Sequence, residues 1–154
     1  MTAVWQTVGH DAAVLALARA IGQGRMHHAL LVVGPPRVGK MALAMDVARA
    51  LNCIGDEPPC GACRQCARIS ASLHPDVRVI GVGEDAQGRA KTLISIEQVR
   101  ELQKEASLKP YEGAFRVFII DGVDRLSDEG ANSLLKTLEE PPDQVVIILL
   151  ALDA

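Results

Sequence analysis

The sequence predicts an α/β fold: a mostly parallel sheet with helices on both faces. Three observations predict it. Apolar runs at about 29–33, 77–82, 115–120 and 145–150 alternate with stretches of helical spacing. The first run leads directly into a Gly- and Pro-rich segment that ends in Gly39-Lys40 and a new helix. The core is aliphatic, because Trp5, Tyr111, Phe115 and Phe118 are all the aromatics of a 154-residue chain that is 49% hydrophobic.

Each element has its local reason. Residues 11–22 are rich in Ala and Leu at helical spacing, with Asp11 placed to cap the start. Residues 29–33 are a continuous apolar run ending at Gly34, as a strand buried on both faces would be. Met41 to Leu51 reads as a helix, and 52–67, which holds every cysteine among Gly and Pro, as a loop-like module. Val77 to Val82 is the second strand, and polar Gly83 to Ala90 an exposed loop. Ser95 with Gln98 makes a capping box for a helix to Leu108. Pro110 to Gly113 is a turn, and Arg116 to Ile120 the third strand, ending on Asp121. A helix over Ser127 to Glu139 stops at Pro141-Pro142, and Val145 to Leu150 is the fourth strand. Most of that last helix reads as a packing face plus a solvated charged face, and a subunit contact through it is the lesser reading.

Composition excludes several classes. A net charge of −3 argues against a domain that grips nucleic acid over a wide face. There is no run of 18 apolar residues and no basic, apolar, cleavable start, so the expectation is a cytoplasmic protein with no membrane partner. In a reducing compartment four cysteines are metal ligands before they are disulfides. The chain stops on an apolar strand, so we expect residues 1–154 to be one domain from a longer protein.

Gly34-Pro-Pro-Arg-Val-Gly-Lys-Met41 matches G-x-x-x-x-G-K-[ST] at Gly34, Gly39 and Lys40 and departs from it at Met41. A complete loop wraps phosphates in backbone N–H groups, reaches the outer phosphates with its lysine and gives a hydroxyl to Mg²⁺. The Met41 thioether is a poor ligand for that hard cation. ATP and Mg²⁺ are therefore doubtful cofactors, and whether phosphate still binds stays open. Phe115 to Asp121 has the form of a Walker B strand, with Asp121 as the acidic end. Gly122 follows, with no carboxylate to activate water, so no catalytic residue is assigned.

Cys53, Cys60, Cys63 and Cys66, spaced x₆, x₂ and x₂, suit tetrahedral Zn²⁺ in a closed, structural site. The C-x-x-C-x-x-C core is also compatible with an iron–sulfur run, the less favoured alternative since no redox-partner features accompany it. His74 reads as a surface or capping residue, and His27 and His28 as packing or capping near the first strand. A zinc module that binds nucleic acid in its own right is a third possibility, disfavoured by the acidic charge balance.

Taken together, Met26 to Lys40, Ala48 to Cys53, the three later cysteines, His74-Pro-Asp76 and Asn132 to Pro142 resemble the AAA+ subunits of bacterial DNA polymerase III clamp loaders. The resemblance implies a parallel P-loop sheet with five core strands, of which this chain offers four, the missing one flanking the first. It implies zinc on the four cysteines, Lys40 as the phosphate-loop lysine and Asp121 as the Walker B acid. Implied partners are the delta and gamma/tau subunits, with the sliding clamp and primed DNA reached through the assembled complex. Met41, Gly122 and Leu152, the last where the family's sensor strand is usually polar, match the non-hydrolysing delta-prime stator better than the gamma/tau motor. The family's arginine-finger motif would lie beyond residue 154.

Overall fold

The computed structural model describes residues 3–84 and 86–152. The elements in chain order are α1 (Asp11–Gly22), β1 (Ala29–Val33), α2 (Lys40–Asn52), α3 (Arg64–Ser70), β2 (Val77–Ile80), α4 (Ile96–Ala106), β3 (Arg116–Asp121), α5 (Asp128–Glu139) and β4 (Val145–Ala151). A single 3₁₀ turn, Val123–Arg125, follows β3. The strands form one parallel sheet in the order β1-β4-β3-β2. Alternation along β3 sorts its side chains to two cores. Val117 and Ile119 join Ala44, Val47, Ala48 and Leu51 of α2, while Phe118 and Ile120 join Val99 and Leu102 of α4 and Leu134 of α5. Helices therefore cover both faces, as β3 and β4, almost wholly apolar, require.

β1 pairs with β4 alone and is an edge strand, leaving Leu31 52% and Val33 43% exposed. Among the described residues no fifth strand lies beside it. No helix among them is long and apolar enough to cross a membrane.

Local chemistry explains the boundaries. Ser95 accepts from the Gln98 N–H while the Gln98 side chain accepts from the Ser95 N–H, a complete capping box, and Ser127 caps α5 through the Gly130 N–H at 3.0 Å. α1 departs from expectation at its start. Its cap is His10, in the left-handed conformation with no side-chain capping bond, and Asp11 is the first helical residue, where its carboxylate sits favourably at the positive end of the helix dipole instead. The cysteine segment is less loop-like than its composition suggests. Cys63 sulfur accepts from the Cys66 N–H and starts α3, a helix that carries Cys66 into the core. β2 stops two residues early, at Ile80, because Gly81 receives the Gln98 side chain on its carbonyl at 2.8 Å instead of a strand partner. In the 83–90 loop Glu84 and Ala90 form an antiparallel bridge; Asp85 lies outside the described residues.

Candidate functional site

The carboxyl ends of β2, β3 and β4 and the loop that follows β1 open on a cavity of about 680 Å³ lined by Gly39, Lys40 and Met41 on one side and by Asp121, Gly122 and Arg125 on the other. The Gly34 N–H donates to the Ala151 carbonyl at 3.1 Å, which seats the loop on the end of β4. Arg37 and Gly39 then take left-handed backbone, with φ of 64° and 101°. α2 begins at Lys40 with no side-chain cap, so its leading N–H groups and positive dipole end are left for an anion. Lys40 Nζ donates to the Gly34 carbonyl and, at 3.1 Å, to the Ala151 carbonyl. The lysine thus bridges the loop's first residue and β4. Met41 lines the cavity and also packs against the α2-side core, offering no oxygen.

Asp121 ends β3 exposed to the cavity. Gly122 has φ of 93° and donates its N–H to the Leu150 carbonyl at 3.1 Å. A β-carbon there would meet Arg125 Cδ at 3.6 Å, an ordinary van der Waals contact, so the arginine packs beside the position and the positive φ is what disfavours a side chain. The sequence-predicted Gly39, Lys40, Met41 and Asp121 therefore share one cavity, with Leu152 at its wall, while Gly34 acts through its carbonyl. Two neighbours escape sequence reading: Arg125, and His10, whose ring nitrogen Nε2 lies 3.1 Å from the Val38 carbonyl. His10 belongs to no motif and carries no signal.

The four cysteine sulfurs all lie within 4.8 Å of one another and could hold a metal ion. Tetrahedral zinc thiolates would stand about 3.8 Å apart; Cys63 and Cys53 sulfurs are 3.9 Å apart. The donor set suits thiolates. Cys53 sulfur accepts from Gly55 and Cys60 N–H groups at 3.3 and 3.4 Å, and Cys60 sulfur from Ala62 and Cys63 at 3.4 and 3.1 Å. The Ala62 and Cys63 donors hold the Cys60 thiol below its ordinary pKa. Burial of Cys63 is outweighed by N–H donors, Cys66 first, and its pKa falls to about 6. Burial raises Cys53 and pushes Cys66 up to about 12. A cation supplies what the two raised thiols need to ionise.

Beside this module, His74 is buried, against the expectation of a surface position; its capping role holds, since Nδ1 accepts from the Asp76 N–H at 3.0 Å. Its Nε2 therefore carries the proton and donates to Gln65 Oε1. Burial lowers the His74 pKa, against the Asp76 and Glu112 carboxylates, which raise it. Asp76 is buried too, and its carboxylate accepts from Tyr111, Glu112 and Gly113 N–H groups at 2.6, 2.8 and 2.7 Å. Burial would raise its pKa; these donors, with Arg116 at 3.7 Å, outweigh burial and lower it. His28, also a capping candidate, is exposed, with Nε2 3.1 Å from the Leu138 carbonyl near the end of α5, and His27 is exposed.

A phosphate-loop strand–loop–helix and an acidic strand end, meeting at the carboxyl edge of a parallel sheet, define a P-loop α/β domain of nucleotide-binding type. The solved gamma subunit-related DNA polymerase III protein of Thermotoga maritima has this fold, at a TM-score of 0.55 and 18% identity over 90% of this chain and 39% of its own. The family model described as DNA polymerase III, delta subunit, matches residues 9–154, and the chain belongs to that family of AAA+ clamp-loader subunits. It is 39% identical to the DNA polymerase III subunit tau/gamma of Haemophilus influenzae and 38% identical to the subunit tau of Escherichia coli, over 95% of its length in each case. It spans 20% and 22% of those proteins, and 39% of the gamma subunit of Buchnera aphidicola, to which it is 36% identical.

Proposed function

We propose that this chain serves the clamp loader of the replicative DNA polymerase III holoenzyme as a non-hydrolysing stator, the delta-prime role. It works in the cytoplasm through the delta and gamma/tau subunits, and through the assembled complex on the sliding clamp and primed DNA. The observation that carries this is what the cavity lacks on its metal-facing side. Met41 presents a thioether where a hydroxyl would bind Mg²⁺, and Gly122 presents nothing beside Asp121. The residues do not fit a Mg²⁺-dependent hydrolytic site, and no step is assigned to one. Gly34, Gly39, Lys40, Met41 and Asp121 are on this reading a degenerate nucleotide site. Cys53, Cys60, Cys63 and Cys66 are zinc ligands; four thiolates leave no open position, so the ion supports the fold and does no chemistry.

One observation favours a second reading, the ATP-hydrolysing motor: the curated relatives above are tau and gamma subunits. Two measurements separate the readings. Calorimetry with ATP, with and without Mg²⁺, should show no Mg²⁺-dependent gain in affinity. The chain alone, and a loader in which it is the sole P-loop subunit, should turn over no ATP. Steady Mg²⁺-dependent turnover by the chain alone would replace the stator with the motor.

A further inference from the structure

The metal module and the sheet are joined by one face of α3. Gln65 and Arg68 are three residues apart and point the same way. Gln65 accepts from His74 Nε2, and His74 Nδ1 accepts from the Asp76 N–H. Asp76 then does two things. Its carboxylate gathers the N–H groups of Tyr111, Glu112 and Gly113, and its carbonyl accepts from the Val117 N–H of β3 at 2.8 Å. Arg68 makes a second link, donating to Glu112 at 2.5 Å. The turn so held is tight: a β-carbon on Gly113 would stand 2.5 Å from Asn52 Oδ1, which itself receives the Phe115 N–H at 2.9 Å. At the other end, α3 begins on Cys63 and carries Cys66, two of the four sulfurs. The sulfurs connect to Gln65 through the backbone of α3, and from Gln65 and Arg68 onward the links are buried or half-buried hydrogen bonds.

We propose that Gln65 and His74 are positioning residues that couple metal occupancy of the four-cysteine site to the 110–113 turn and to the pairing of β2 with β3. The inference rests on the metal reading of the cysteines. Without the ion, α3 loses the anchorage of Cys63 and Cys66, Gln65 no longer holds His74, and Asp76 loses its orientation toward the turn. Asp121 lies at the far end of the same strand, so the module governs how firmly β3 presents it. Arg68–Glu112 is half-exposed and acts as the weaker of the two links.

The test is hydrogen exchange on the purified chain, stripped of metal and then reloaded with Zn²⁺, with Co²⁺ absorption reporting occupancy. Zn²⁺ should slow exchange of the Tyr111, Glu112, Gly113 and Val117 amides by about tenfold or more, relative to control amides in the contact of α4 with α5. Gln65→Leu removes the acceptor and should keep the Co²⁺ spectrum while losing that protection. Gln65→Glu restores an acceptor and should recover it. Metal bound with unchanged exchange in the wild-type chain overturns the coupling and leaves the metal site standing, and full protection in Gln65→Leu overturns the route. No Co²⁺ absorption in the wild-type chain removes the metal reading and the coupling together. The wild-type comparison decides the first link even if Gln65→Leu does not fold.

Discussion

At the scale of single residues, the phosphate-loop lysine is the informative case. Lys40 is spent on two carbonyls, Gly34 and Ala151, so its removal should be felt without any ligand. Lys40→Met should lower stability by about 1–2 kcal/mol in urea titrations; an unchanged midpoint would show that the bridge contributes nothing. His74 gives a pH prediction whose sign follows from burial. Its folded pKa lies below that of the unfolded chain, so the unfolded state takes up the proton first. Its contribution is complete above the unfolded value of about 6.5 and declines as pH falls below it toward the folded value. The groups around it are Asp76, Glu112 and Arg68. Denaturation of the wild-type chain between pH 7.5 and pH 5 should show that decline, at roughly the range in which histidine titrates, and His74→Gln should flatten it. Motif spacing made Lys40, Met41, Asp121 and the four cysteines legible in the sequence. It could not reveal the carbonyls that hold Lys40, which come from residues adjacent only once β1 and β4 pair. Nor could it place His74 inside, because a histidine between Leu73 and Pro75 carries no periodic signal.

Elements were legible where local chemistry decides them. The capping box at Ser95 and the Pro141-Pro142 stop of α5 belong to that class, and Ser95→Ala should cost about 1 kcal/mol in denaturation, read with Gln98 intact. α3 was not legible, since seven residues are too few for a helical period to stand out, and its N-terminal cap is a cysteine sulfur rather than Ser, Thr, Asp or Asn. The 110–113 turn was legible from Pro110 and Gly113, but the reason for its shape lies in Asp76, more than thirty residues earlier. Asp76→Ala would strip three N–H groups of their acceptor and should destabilise the chain by about 3 kcal/mol or more. A loss below about 1 kcal/mol would mean that water replaces the carboxylate.

At the scale of the molecule, two devices hold the sheet from opposite ends. The Lys40 bridge ties β1 to β4 at the carboxyl edge, and Asp76, with Arg68 on Glu112, secures the turn that enters β3 at the amino edge. Treatment with a strong chelator should lower the thermal midpoint by several degrees and replacing any one of the four cysteines should do the same; a midpoint indifferent to both would leave the cluster without a structural ion. Fold class followed from the alternating apolar runs, and the open edge at β1 from the resemblance to a five-stranded family. The division of labour between the two ends did not, because it is written in long-range hydrogen bonds.

The backbone at Gly122 has a consequence for placing any carboxylate beside Asp121. A glutamate installed there would inherit a φ of 93°, a conformation that costs a residue with a β-carbon about 1–2 kcal/mol, with its β-carbon in ordinary contact with Arg125 Cδ at 3.6 Å. If the chain is the stator proposed above, a glutamate at 122 would have to be accommodated by the backbone as well as by the side chains around it, so an engineer seeking hydrolysis should begin with the turn at 122–125.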